Sequence, residues 1–189
     1  MSPEELLEQY AAGKRDFAGI ELEDARLNRV DLRGINLSEA NLTGISLIGS
    51  NLEGATLKKT ILGDSELANI NLRGADLTQA SLSCATLGNA NLQNAILIGA
   101  KLFQASLIGA CLIHANLHQA AMGQTNISGA NLSYANLRDA FLKEVLFNAD
   151  LSFADFSGAE TWDNIEALFT PGILCNTILP DGTVRNDDC

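Results

Sequence analysis

Residues 90–110 read ANLQNAILIGAKLFQASLIGA, so that Leu92, Leu97, Leu102 and Leu107 stand five apart and Ala90, Ala95, Ala100 and Ala105 stand two residues before them. The pattern extends outward in both directions. Of the 27 positions spaced by five from Phe17 to Phe147, 23 are Leu; the exceptions, Phe17, Met122, Ile127 and Phe147, are also large and apolar. A period of five fits neither ordinary element. In an α-helix five residues advance about 500°, which scatters the leucines around the axis. In a flat strand an odd spacing turns every second leucine outward. The chain must turn a corner at each repeat and bring each Leu back to the same interior. The reading is an all-β solenoid of short extended segments, its axis filled by one large and one small side chain per repeat.

A weaker period of twenty sets the number of repeats in a coil. Sorted into four columns, the residues before each central Leu place Asp31, Asn51, Asn71, Asn91, Cys111 and Asn131 in one column. Asn36, Thr56, Asp76, Ile96, Asn116 and Asn136 fall in the next. Asn and Asp concentrate in these two, as four repeats per turn predict.

The motifs Ala-Asp-Leu-Thr-Gln (75–79), Ala-Asn-Leu-Gln-Asn (90–94) and Ala-Asn-Leu-Ser-Tyr (130–134) resemble the pentapeptide-repeat consensus, and the resemblance covers roughly residues 17–160. It implies a right-handed quadrilateral β-helix of about seven coils, a rod of roughly 35 Å at ordinary strand spacing. The lead-in Tyr-Ala-Ala-Gly-Lys-Arg-Asp-Phe (10–17) and the ending Leu-Pro-Asp-Gly-Thr (179–183) are similar to those of cyanobacterial members. That likeness implies a regulatory protein–protein role. Other members of the family mimic duplex DNA and bind DNA gyrase, which is the alternative.

Both ends of a solenoid need covers, because each exposes strand edges and apolar core. Three regions are expected: an N-terminal helical cap over 1–16, the repeats over 17–160, and a C-terminal cap and tail over 161–189. Ser2-Pro3-Glu4-Glu5 is a helix start, with Ser as N-cap, Pro at the first position and Glu at the third. Gly13 should end that helix. Thr161 should cap a second helix running to about Phe169, with Trp162, Ile165 and Leu168 inward, and Pro171-Gly172 should stop it. Pro180-Asp181-Gly182 reads as a turn. The register slips once: Phe147 is followed by Leu151, four residues on, so one corner near Asn148 must be tighter.

Charge is uneven along the rod. Residues 1–76 carry 13 acidic and 8 basic side chains, residues 77–137 only Lys101, and residues 138–189 carry 10 acidic and 3 basic. The net charge of −11 would suit a DNA mimic, but a mimic needs charge along its whole length, as phosphates are spaced. The almost uncharged middle carries Ile96, Ile98, Phe103, Ile108 and Ile113 at outward positions. These five are the candidate protein-contact surface, with Ile96, Ile98 and Phe103 expected around one corner. The competing reading is that they lie flat and cover their neighbours.

The remaining polar residues offer little chemistry. His114 and His118, with Cys111 nearby, occupy successive sides and point apart, so no metal site is expected. Glu21, Glu23, Asp24 and Asp31 stand at outward positions beside Arg26, Arg29 and Arg33 as a solvated mixed-charge face. The glycines at 34, 44, 49, 54, 74, 99, 109 and 129 stand two after a core Leu (Ile127 before Gly129), as corner residues rather than a phosphate loop. A filled tube has no cleft, so no enzymatic activity, catalytic residue or cofactor is expected. Residues 1–10 lack the apolar run of a signal peptide, and nothing reaches the length of a membrane span. The expectation is a cytoplasmic chain that binds neither nucleic acid nor membrane, with an unidentified protein partner. Its thiols would then be reduced. Cys84 and Cys111 lie too far apart to pair. Cys175 and Cys189 could pair in an oxidising compartment and stay free in a reducing one.

Overall fold

The computed structural model describes residues 1–143, 145, 148–161, 169 and 172–189. The backbone turns at every repeat. The Ala95 amide donates to the Leu92 carbonyl and the Ala100 amide to the Leu97 carbonyl, both at 3.0 Å. The residue before each Ala is left-handed, with φ of 58° at Asn94 and 63° at Gly99. This is the type II turn pattern, which demands positive φ at its third residue. It explains why glycine recurs two after the core Leu, and why Asn, Asp and Gln fill many of the other such sites.

Four such turns close a coil. Parallel bridges join residues twenty apart: Asp31, Asn51, Asn71, Asn91, Cys111 and Asn131 on the first face, and Asp16, Asn36, Thr56, Asp76, Ile96, Asn116 and Asn136 on the second. Glu21 to Phe141 line the third face and Arg26 to Asn126 the fourth. The columns read from the sequence are therefore the faces of the solenoid. Each coil is bonded to the next, as where the Leu92 amide donates to the Cys111 carbonyl at 2.7 Å and the Cys111 amide to the Ala90 carbonyl at 2.9 Å. The side chain before Leu also braces the corner: Asn91 Oδ1 accepts from the Gln93 amide at 3.1 Å and Asn116 Oδ1 from the His118 amide.

The core is one continuous column. The repeat leucines from Leu22 to Leu142 are buried, with Ala at most of the positions two before them. Where a hydroxyl replaces Ala, it bonds a core carbonyl, Ser65 that of Leu62 in its own turn and the others that of a residue one coil back. Ser50 donates to Leu27, Thr60 to Leu37 and Thr125 to Leu102. Among the described residues no buried side-chain polar atom lacks a partner, which removes the main cost of hydroxyls in an apolar tube.

The slip of register is present. Asn131 bridges Asp150 and Asn136 bridges Asp155, offsets of nineteen rather than twenty. Phe147 lies outside the described residues. The ladder also runs past residue 160. Asp150 bridges Ile173 and Asp155 bridges Ile178, while Leu174 and Leu179 are buried. Residues 173–179 thus form part of a further coil, although their sequence lacks the Ala-Asx-Leu signature.

Helix α1, Pro3–Ala11, begins with the full capping box, Ser2 accepting from the Glu5 amide and Glu5 accepting from the Ser2 amide. Gly13 follows it with φ of 98°. Leu6 is fully buried and belongs to the same core as the leucines, and the Tyr10 hydroxyl donates to the Arg33 carbonyl at 2.9 Å. At the other end, the short strands β1, Thr177–Ile178, and β2, Val184–Arg185, pair antiparallel. Asp181 Oδ1 braces their turn by accepting from the Thr183 amide and hydroxyl. The helix expected from Thr161 lies outside the described residues except at its ends; Phe169 is buried, its ring edge-on to Phe156 at 4.9 Å.

Candidate interaction surface

The five outward apolar residues do not gather on one side. Ile98, Phe103, Ile108 and Ile113 each open the turn at one of four successive corners, while Ile96 lies on the second face. With four repeats per coil, a residue type that recurs every five positions points in four directions. Ile98 and Phe103 therefore do not flank one corner as expected; the third face, with Lys101, separates them. Their exposure also differs. Phe103 and Ile108 are 46% and 48% exposed, whereas Ile96, Ile98 and Ile113 are half-buried.

The two exposed residues flank the fourth face. Between them lies Ser106, with Thr86 and Asn126 above and below it in neighbouring coils, so this side is small, flat and uncharged. The Phe103 ring lies against Gly123 of the next coil, where an added Cβ would stand 3.2 Å from Phe103 Cδ2 and 3.5 Å from Phe141 Cε1. Glycine makes room there for two aromatic rings.

A second feature escapes a reading by fives. At the corner after the first face, His114, Tyr134 and Phe153 stack in successive coils. The His114 and Tyr134 ring centroids are 4.9 Å apart, and Tyr134 and Phe153 are 4.6 Å apart with planes within 2°. All three backbones are left-handed, with φ of 58°, 62° and 60°. The same corner carries Gly34, Gly54 and Gly74 in earlier coils. Bulky residues at positive φ are strained, so ring stacking and close coil spacing must offset that strain. The signal was the twenty-residue period, hidden because Phe153 follows Tyr134 by nineteen. In a double-mutant cycle, Tyr134→Ala and Phe153→Ala should show a coupling of about 0.5–1.5 kcal/mol. Additive losses in urea melts would mean that the rings are adjacent without interacting.

Several charged groups are paired within the surface. Arg73 meets Glu53 at 3.2 Å and Lys58 meets Asp76 at 3.1 Å, both between adjacent coils. Burial pushes the Asp76 carboxyl up, but hydrogen bonds from Thr78 and the Lys58 ammonium more than offset this and hold it below its ordinary value. Asp150 is likewise pushed up by burial and held low overall by Ser152 and Ser133. His118 donates from Nδ1 to the Arg138 carbonyl at 3.0 Å if that nitrogen carries the proton, while His114 joins the ring stack, so the two histidines do point apart. Among the described residues no group of three His, Cys, Asp or Glu side chains could hold a metal ion. Nor is any helix among them long and apolar enough to cross a membrane.

The cysteines divide. Cys84 and Cys111 are free. Cys175 and Cys189 form a disulfide, with Cα atoms 5.0 Å apart, against the expectation of reduced thiols. The tail after β2 turns back beside the last coil and brings the two together, a contact that a compartment argument could not reveal.

The family pattern described as a pentapeptide repeat region matches residues 20–97, and that described as pentapeptide repeats in eight copies matches 80–119, 110–148 and 125–160. The chain belongs to the pentapeptide-repeat family. Members of this family form right-handed quadrilateral β-helices. Among solved structures, the chain is similar to HetL, a pentapeptide-repeat protein involved in heterocyst differentiation regulation from the cyanobacterium Nostoc sp. strain PCC 7120. The two are 32% identical over 98% of this chain and 100% of that one, with a TM-score of 0.42. It is also similar to a pentapeptide-repeat protein of the Arabidopsis thaliana thylakoid lumen, at 30% identity over 50% of this chain and 63% of that one, with a TM-score of 0.41. QnrB1, a plasmid-mediated fluoroquinolone resistance protein, is 18% identical over 82% of each chain, with a TM-score of 0.46. Among curated proteins none matches.

Proposed function

We propose that this pentapeptide-repeat chain is a non-enzymatic rigid scaffold for protein–protein contact, with helix α1 closing one end of the rod and the β1–β2 hairpin the other. The repeat region spans residues 17–160, continued by the partial coil at 173–179, and the partner is a protein rather than nucleic acid or membrane. The reading is carried by the uncharged side of the middle coils, where Phe103 and Ile108 expose 46% and 48% of their surface on either side of Ser106. Charge is depleted from the centres of protein interfaces, and large apolar anchors supply much of their energy. Ile96, Ile98 and Ile113 contribute less, because they are half-buried between neighbours.

The test is a pull-down from native cell extract with wild type and a Phe103→Asp, Ile108→Asp variant. Both side chains reach outward, so the variant should keep its fold and lose partner recovery by tenfold or more, a loss of at least about 1.4 kcal/mol. Charge reversals at Glu21 and Asp31 should leave recovery unchanged. Unaltered recovery by the double variant would overturn the assignment of this side. Inhibition of gyrase supercoiling, removed by neutralising surface carboxylates, would instead support the DNA-mimic reading.

A further inference from the structure

The last ten residues are held to the solenoid differently from the coils described above. Every coil from Phe17 onward is fixed by buried leucines, and the last buried apolar side chain is Leu179. Beyond it, Val184 is 54% exposed, and the rest of 181–189 is polar, Gly or Cys and lies at the surface. The segment nevertheless follows the edge of the final coil closely. Arg185 and Val184 pair with Thr177 and Ile178. The Asp188 amide donates to the Leu174 carbonyl at 3.0 Å, and Asp188 Oδ2 accepts from the Leu174 amide at 2.9 Å. Asn186 Oδ1 accepts from the Asn176 amide at 2.8 Å. Hydrogen bonds this exposed exchange readily with water and contribute little net stability. The disulfide between Cys175, on the final coil, and Cys189, at the end of the segment, closes a loop over fourteen positions of sequence.

We propose that this segment is a thiol-controlled strap: a dithiol reductant opens the Cys175–Cys189 bond, and residues 180–189 then leave the edge of the final coil. Cys189 is exposed and Cys175 half-buried, so attack falls on the Cys189 sulfur. A thiolate of the reductant forms a mixed disulfide there, and Cys175 leaves as a thiolate and takes a proton. The second thiol of the reductant then displaces Cys189, and the reductant carries away the two electrons' worth of oxidation as its own disulfide. Cross-linking restricts the open ensemble of a loop this size by about a hundredfold, which is enough to decide whether a segment without buried apolar anchors stays closed. Opening frees the backbone groups of Leu174 and Asn176 and one side of β1. The wall of the solenoid behind them, held by Leu174, Thr177 and Leu179, stays packed.

Hydrogen–deuterium exchange on the full chain, with and without dithiothreitol, tests this. The oxidised chain should titrate two thiols when denatured, Cys84 and Cys111, and the reduced chain four. Reduction should speed exchange at Leu174 and Asn176 and across 180–189 by about a hundredfold, and leave the Ile178 amide, which donates to the Ala154 carbonyl, and peptides within 80–120 unchanged. A Cys189→Ser variant should exchange fast in both conditions, and a Cys84→Ser variant should respond as wild type does. Four thiols in a chain equilibrated with glutathione disulfide would overturn the proposal. So would exchange at Leu174 and Asn176 and across 180–189 that is the same before and after reduction, since the hydrogen bonds alone would then suffice.

Discussion

Leu92→Ala is expected to destabilise the protein by about 2–5 kcal/mol. Leu92 is fully buried, with Ala90 and Ala95 equally enclosed beside it. The upper half of that range is favoured by the wall. The Leu72 amide bonds the Asn91 carbonyl at 2.8 Å and the Leu92 amide bonds the Cys111 carbonyl at 2.7 Å. Coils tied above and below cannot move inward to fill the gap, so the cavity persists. The converse change, Ala95→Leu, should cost about 1–3 kcal/mol by overpacking. Gln93→Ala, in the same repeat but on the outer surface, should stay within about 0.5 kcal/mol. Urea melts of the three variants give the ranking. A larger loss at Gln93 than at Leu92 would contradict the inward register.

The second large effect is expected from removing residues 1–13. Leu6 alone, fully buried in the column of leucines, accounts for roughly 1.5–3 kcal/mol of lost burial. The deletion also uncovers Phe17, Leu22, Leu27 and Leu32, and a rung in which Asp16, Glu21 and Arg26 have bridge partners on one side only. An uncovered parallel edge backed by apolar core is a template for another chain. Light scattering should show association of the truncated protein, together with a lowered denaturation midpoint. A truncated protein that stays monomeric and melts as the full chain does would show that α1 is not needed to close the rod.

The architecture was legible because the repeat is dense. A leucine at nearly every fifth position leaves one solution, and the column of Asn51, Asn71 and Asn91 announces the number of sides. The one-residue slip was legible for the same reason, since Ala149 and Ala154 reset the phase. The surface was less so. Neighbours on the surface are set by twenty, not five, so Ile98 and Phe103 look adjacent in sequence and stand across a face from each other. His114, Tyr134 and Phe153 look unrelated and stack. The tail fails differently. Its contacts depend on a reversal after β2 that no repeat encodes, and the reach that pairs Cys175 with Cys189 is set by that reversal, not by cellular chemistry. The partial coil at 173–179 lacks the motif, and its inward Leu174 and Leu179 alone gave no phase.

The ladder of parallel bridges has a mechanical consequence. Among the described residues each coil is bridged to the coils above and below it, through contacts such as Asn91 with Asn71 and Cys111, and chain order follows the long axis. A load applied between the two termini therefore peels one rung at a time. It does not shear a whole sheet at once. Because each repeat contacts only its neighbours in such quasi-one-dimensional folds, resistance to pulling should stay low and nearly constant, with the extension released in steps of about twenty residues. The same rod loaded from the side would meet every rung in parallel and behave as a stiff strut.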